Sequence, residues 1–94
     1  MINIKNTQRK FNIDTNKIYQ DTEKILSLLK YNNFDIGIWF TNNKTIRFYN
    51  REYRHKDKAT DVLSFPYHTE LQAGQRIKVK SPDDKNLGDL IISV

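Results

Sequence analysis

A chain of 94 residues with 37% hydrophobic and 29% charged side chains and no cysteine makes one small domain, 1–94, expected to bury only about 60–65% of its unfolded surface. Those figures exclude disulfides, thiolate zinc sites and cysteine nucleophiles, and the aromatics with Ile and Leu are too many for general disorder. Sixteen Lys and Arg against eleven Asp and Glu leave a formal +5, which favours polyanions where the cations cluster; no stretch approaches the ~20 apolar residues of a membrane span, and Met1 to Lys10 lacks a signal-peptide core.

Ile2 and Ile4 alternate with Asn3 and Lys5, the pattern of a short half-buried strand. Asp14 or Thr15 then caps a helix whose apolar positions Ile18, Thr22, Ile25, Leu26 and Leu29 recur at helical spacing. It ends near Lys30 to Asn33, where asparagines tolerate left-handed backbone angles. Phe34, Ile36, Ile38 and Phe40 alternate with Asp35, Gly37 and Thr41, with Trp39 on the other face, and this β-rich run predicts a strand. Asn42 and Asn43 offer turn and cap chemistry before a second helix with Ile46, Tyr49 and Tyr53 as its apolar face. Val62, Leu63 and Phe65, ended by Pro66, predict a strand covered on both faces. Leu87 to Val94 is another strand. The polar link 67–86 between them holds Gly74, Pro82 and Asp83-Asp84 and is expected to be a long mobile loop.

The order β-α-β-α-β-β predicts an α+β domain built on a small mixed sheet. Its last strand, Leu90 to Val94, needs cover that two helices supply on one face only, so a further helix is expected over it.

Chemistry concentrates between Lys44 and Lys58. Lys44, Arg47, Arg51, Arg54, Lys56 and Lys58 face only Glu52 and Asp57 there. At 100° per residue Arg47, Arg51 and Arg54 fall within about 60° of one another beside the apolar face. Guanidinium forks in that array suit phosphate oxygens; the plain alternative is a solvated helix face. A catalytic zinc needs about three protein ligands, commonly two His at i, i+4, whereas His55 and His68 stand thirteen apart and read as surface side chains. Thus no metal ligand is assigned. Asp57, Asp61, Asp83, Asp84 and Asp89 have no spacing that positions a pair, and turn or strand-end roles suit them better. Ser64 lacks the G-x-S-x-G context of a nucleophile.

The run Asn50-Arg51-Glu52-Tyr53-Arg54-His55-Lys56-Asp57-Lys58-Ala59-Thr60-Asp61-Val62-Leu63-Ser64-Phe65-Pro66 resembles the signature N-x-x-Y-R-x-x-D-x-x-T-D-V-L-S-F-P of the YbeY family of zinc-dependent endoribonucleases. Asn86 to Ile92 likewise resembles that family's L-G-D-I-x-I strand. The resemblance implies a single-strand-specific endoribonuclease that processes ribosomal RNA, matures the small ribosomal subunit and partners one of its proteins. It implies that Arg54 is the catalytic candidate, bound at the RNA phosphate near the cut, with Arg47, Arg51 and Lys58 extending the RNA contact. The family's next element is a helix with H-G-x-L-H-L-x-G-x-x-H, whose histidines hold zinc. It lies past Val94, so this chain is expected to be truncated before its metal site and inactive alone. Two alternatives are a non-catalytic RNA- or ribosome-binding module and a poorly folded by-product. Leu71-Gln72-Ala73-Gly74 and Pro82-Asp83-Asp84 resemble eukaryotic members and imply a mitochondrial location, with the cytoplasm as alternative.

Overall fold

A computed structural model describes residues 1–69 and 75–94, over which the chain runs β1 (Ile2–Asn6), α1 (Thr15–Leu28), β2 (Asp35–Thr41), α2 (Asn43–Arg54), β3 (Val62–Pro66), one 3-10 turn (Pro82–Asp84) and β4 (Asn86–Ser93). Both helices begin where a short polar side chain can satisfy an otherwise orphan amide. Asp14 Oδ1 accepts from Lys17 N at 3.1 Å, and Asn42 Oδ1 accepts from Thr45 N at 3.0 Å. α2 stops at His55, whose φ of +58° is left-handed. There Lys56 N donates to Asn50 O and His55 N to Arg51 O, both at 3.2 Å, the paired bonds that close a helix C-terminus.

The strands form one sheet in the order β1-β2-β4-β3. β1, β2 and β4 run parallel, and β3 joins the edge antiparallel to β4. The expected mixed α+β architecture is therefore what forms. Between β2 and β4 the register skips one residue, because Asp35 pairs with Asn86 while Ile36 pairs with Gly88. Gly88 takes φ +104° at this bulge, a backbone state open to glycine at little cost.

Strand alternation divides the apolar residues between two faces. On one, Ile46 of α2 is sealed against Leu63 and Ile91, with Trp39, Tyr49 and Phe65 packed around them. On the other, β1 and β2 carry Ile2, Ile36, Ile38 and Phe40 in register, and α1 packs against β1. Leu26, Phe34 and Ile2 line one hollow on that side.

Coverage is narrower than the hydrophobic pattern predicts. Leu63 is fully buried, but Val62 is 46% exposed, so β3 is covered on one face rather than two. The reason is its edge position and the lack, among the described residues, of a helix over Val62 and its partner Ile92. α1 likewise buries Leu26 and half-buries Ile18 and Thr22, while Ile25 and Leu29 face outward. A helix lying along the outermost strand touches it with one narrow stripe only.

Within 67–86, residues 70–74, and with them Leu71-Gln72-Ala73-Gly74, lie outside the described residues. Residues on the C-terminal side are tied to the body. Arg76 donates to Leu29 O at 3.0 Å and stacks over Tyr31, whose hydroxyl accepts from Ile77 N at 3.4 Å. Asp84 closes the 3-10 turn by accepting from Lys80 N and Ser81 N.

Candidate nucleic-acid interface

Asn50 is the residue on which the basic segment is built. It sits at i+4 from Ile46 on the buried side of α2 and is only 2% exposed. Its Nδ2 donates to Lys58 O at 2.8 Å, which binds the loop 55–58 back onto the helix. Its Oδ1 is buried without a partner among the described residues. Sequence reasoning gave Asn50 no role, although 46, 49, 50 and 53 follow the i, i+3, i+4, i+7 rule and a polar residue at a core position is a signal in itself.

The four candidate cations are exposed, and the fold treats them differently. Arg47 Nε lies 2.8 Å from Asp57 Oδ1. That hydrogen bond and the accompanying charge attraction raise the Arg47 pKa, and the same bond lowers that of Asp57. Arg51 Nε lies 3.4 Å from Glu52 Oε1, and its guanidinium sits 5.6 Å from the centre of the Phe48 ring. Among the described residues Arg54 and Lys58 have no ion-pair partner. Arg54 stands in the last turn of α2, where a cation complements the helix dipole, and Lys58 lies in the loop just beyond it. That dipole repels a phosphate, so attraction for one has to come from the side chains.

The left-handed turn at His55 brings Asp57 back beside Arg47, ten positions earlier. Helical periodicity alone does not foresee that pairing. Two guanidinium groups of the stripe are thus partly occupied, and at the end of α2 and in the loop that follows it, Arg54, Lys56 and Lys58 have no ion-pair partner among the described residues.

The histidines do not meet. His55 caps α2 before β3, whereas His68 lies beyond the other end of β3, its Nε2 2.7 Å from Asp84 O. Among the described residues no three His, Asp or Glu side chains come together in a way that holds a metal, so these residues do not fit zinc. Asp61 accepts from Ser93 N through its carbonyl at 2.8 Å at the entry to β3, a strand-end bond that holds the β3–β4 register.

The chain matches the family model described as Endoribonuclease YbeY over residues 3–94. It is 41% identical over 91 residues to the human protein named Endoribonuclease YbeY, covering 97% of this chain and 54% of that one. A protein of the same name from Sulfurihydrogenibium sp. (strain YO3AOP1) is 47% identical over 81 residues, 85% of this chain and 47% of the relative. Another from Aquifex aeolicus (strain VF5) is 39% identical over 85 residues, 90% and 50% respectively. The chain spans about half the length of these curated relatives. With the signature Asn50–Pro66 folded as helix end, bonded loop and core strand, and the match running from residue 3 to residue 94, the chain belongs to the endoribonuclease YbeY family.

Proposed function

We propose that residues 1–94 form the RNA-binding half of a metal-dependent endoribonuclease that cuts single-stranded ribosomal RNA during small-subunit maturation. The observation that carries this reading is the run of cations Arg54, Lys56 and Lys58, without ion-pair partners among the described residues, at the end of α2 and in the loop that Asn50 locks to it. Arg54 meets the phosphate at the cut, where a guanidinium fork stabilises charge developing on the non-bridging oxygens. Lys58, Arg51 and Arg47 extend the contact along the strand. The zinc that this reading expects would take its ligands from outside the described residues. A protein of the small ribosomal subunit is the expected partner. The human relative shows that the family has eukaryotic members, and we extend that to a mitochondrial site of action, with the cytoplasm as alternative; fractionation of the tagged protein separates the two.

The test is cleavage of a single-stranded ribosomal RNA fragment by the 94-residue chain and by the same chain extended past Val94 as its longer relatives are. The extended chain is expected to cut, to stop when a chelator is added, and to slow about 100-fold in Arg54→Ala, the scale seen when one charge-stabilising donor is removed. Cutting by the 94-residue chain, or full activity in Arg54→Ala, contradicts the proposal. The lack of a metal-holding cluster among the described residues favours one second reading, a module that binds RNA without cutting it. Binding by both forms with cleavage by neither selects that reading.

A further inference from the structure

On the face of the sheet that α2 covers, the helix packs over β3 and β4 and leaves an open cleft of about 490 Å³ towards β1 and β2. Aromatic rings make one wall. Trp39 and Tyr49 meet in a T at 5.6 Å, Tyr49 stacks on Tyr53 at 5.9 Å with planes 7° apart, and Tyr53 and Phe65 meet in a T at 5.4 Å. Tyr53 is nonetheless 63% exposed, so this array holds one ring open to solvent rather than forming a closed core. Two groups of opposite charge stand at the same cleft. Lys5 Nζ lies 4.6 Å over the Trp39 ring. The Asp89 carboxylate reaches over Gly37, whose missing Cβ gives it room, and it makes no hydrogen bond or ion pair among the described residues.

We infer that this cleft takes one unpaired nucleobase of a single-stranded RNA. The base stacks on Tyr53, its N–H edge donates to Asp89, and Lys5 meets the adjoining phosphate. Stacking on an exposed aromatic is tolerant of base identity, and a positive group beside it follows the backbone. An acceptor-only carboxylate adds selectivity. It receives two parallel bonds from adjacent N–H donors such as those of guanine and disfavours the carbonyl-rich edge of uracil. The charges are thus complementary to a nucleotide at both ends, base and phosphate, which a purely apolar occupant does not use. Only a strand whose bases are unpaired can insert one. The inference rests on the RNA-binding reading above and names the feature of RNA that this part of the chain selects.

The test uses the full 94-residue chain and five-nucleotide oligoribonucleotides, G-containing and all-U. Binding is followed by the fluorescence of Trp39, the one tryptophan in the sequence, and far-UV circular dichroism confirms that each variant is folded. Tyr53→Ala is expected to weaken binding about 10-fold, within the range for one base stack, and Tyr53→Phe to restore it. Asp89→Asn is expected to abolish the preference for G over U, while Arg54→Ala weakens both oligonucleotides alike. RNA binding that depends on Arg54 but ignores Tyr53→Ala and Asp89→Asn overturns the cleft and leaves the proposed function standing. Absence of binding to either oligonucleotide overturns both. Two other occupants are distinguishable, and finding either one overturns the inference. Concentration-dependent self-association lost in Tyr53→Ala gives the cleft to a second copy. Loss of the Tyr53 effect on RNA binding when the chain is extended past Val94 gives it to protein that follows.

Discussion

Asn50 and Gly88 show how single positions hold the basic segment in place. Truncation in Asn50→Ala leaves Lys58 O without its donor and empties a buried position, and a loss of about 1–3 kcal/mol is expected. Asn50→Asp is worse at neutral pH, because an ionised carboxylate in that buried site has no proton to give the carbonyl. Urea midpoints check both, and the gap between the two variants should narrow as the pH is lowered and the aspartate takes up a proton. Gly88→Ala combines a left-handed backbone with a Cβ that collides with the main chain of Phe65 and Pro66. A cost of about 3 kcal/mol is expected, large for a domain of this size. Gly37→Ala meets only the Asp89 side chain, which can rotate away, so its thermal midpoint should fall by less than half as much.

At the scale of elements, α2 both seals the core through Ile46 and carries the cations. The fold ranks those cations by their partners. Arg54→Ala is expected to weaken RNA binding about 5- to 10-fold at ~0.1 M salt, the scale of one well-formed phosphate contact. Arg47→Ala should cost clearly less, since Asp57 already occupies that guanidinium. A filter-binding titration of both variants checks the order, and equal losses would refute it. The 3-10 turn ahead of β4 gives the pH dependence. Bonds from Lys80 N, then Ser81 N, hold the Asp84 carboxyl below its ordinary range, as Arg47 does for Asp57. A depressed carboxyl stabilises the fold fully above its unfolded pKa of about 3.9 and loses that contribution as the pH falls through the lower folded value. Asp84→Asn should therefore reduce the urea midpoint at pH 7, and the difference from the parent chain should shrink as the pH falls from the unfolded value through the lower folded one.

For the whole molecule, the order of elements was legible because each has its own period. Alternation marks Phe34 to Thr41 as a strand, Ile18, Thr22 and Leu26 give α1 its buried stripe, and Asp14 and Asn42 announce both helix starts. The cation cluster was legible as well, since residues 44–58 hold it in one short segment. What escaped depends on contacts distant in sequence. β3 pairs with β4 rather than β2 across the link 67–86, and neither strand's pattern records that choice. Ile25, Leu29 and Tyr53 keep the spacing of core residues but lie exposed, because spacing shows which face a residue takes and not whether a neighbour reaches it. Asn50 reversed the usual rule, a polar side chain at a core position in service of the loop that follows.

The central claim is that Arg54 and Lys58 hold RNA phosphate, and the salt dependence of binding tests it most directly. The affinity of the 94-residue chain for a single-stranded ribosomal RNA fragment is measured from about 50 to 200 mM salt, beside Arg54→Ala/Lys58→Ala. A linear fall of log affinity with log salt is predicted, with the slope shallower by about 1.4 in the double variant, roughly 0.7 for each phosphate of a single strand that the protein no longer neutralises. Equal slopes in the two proteins, or an affinity indifferent to salt, would contradict it.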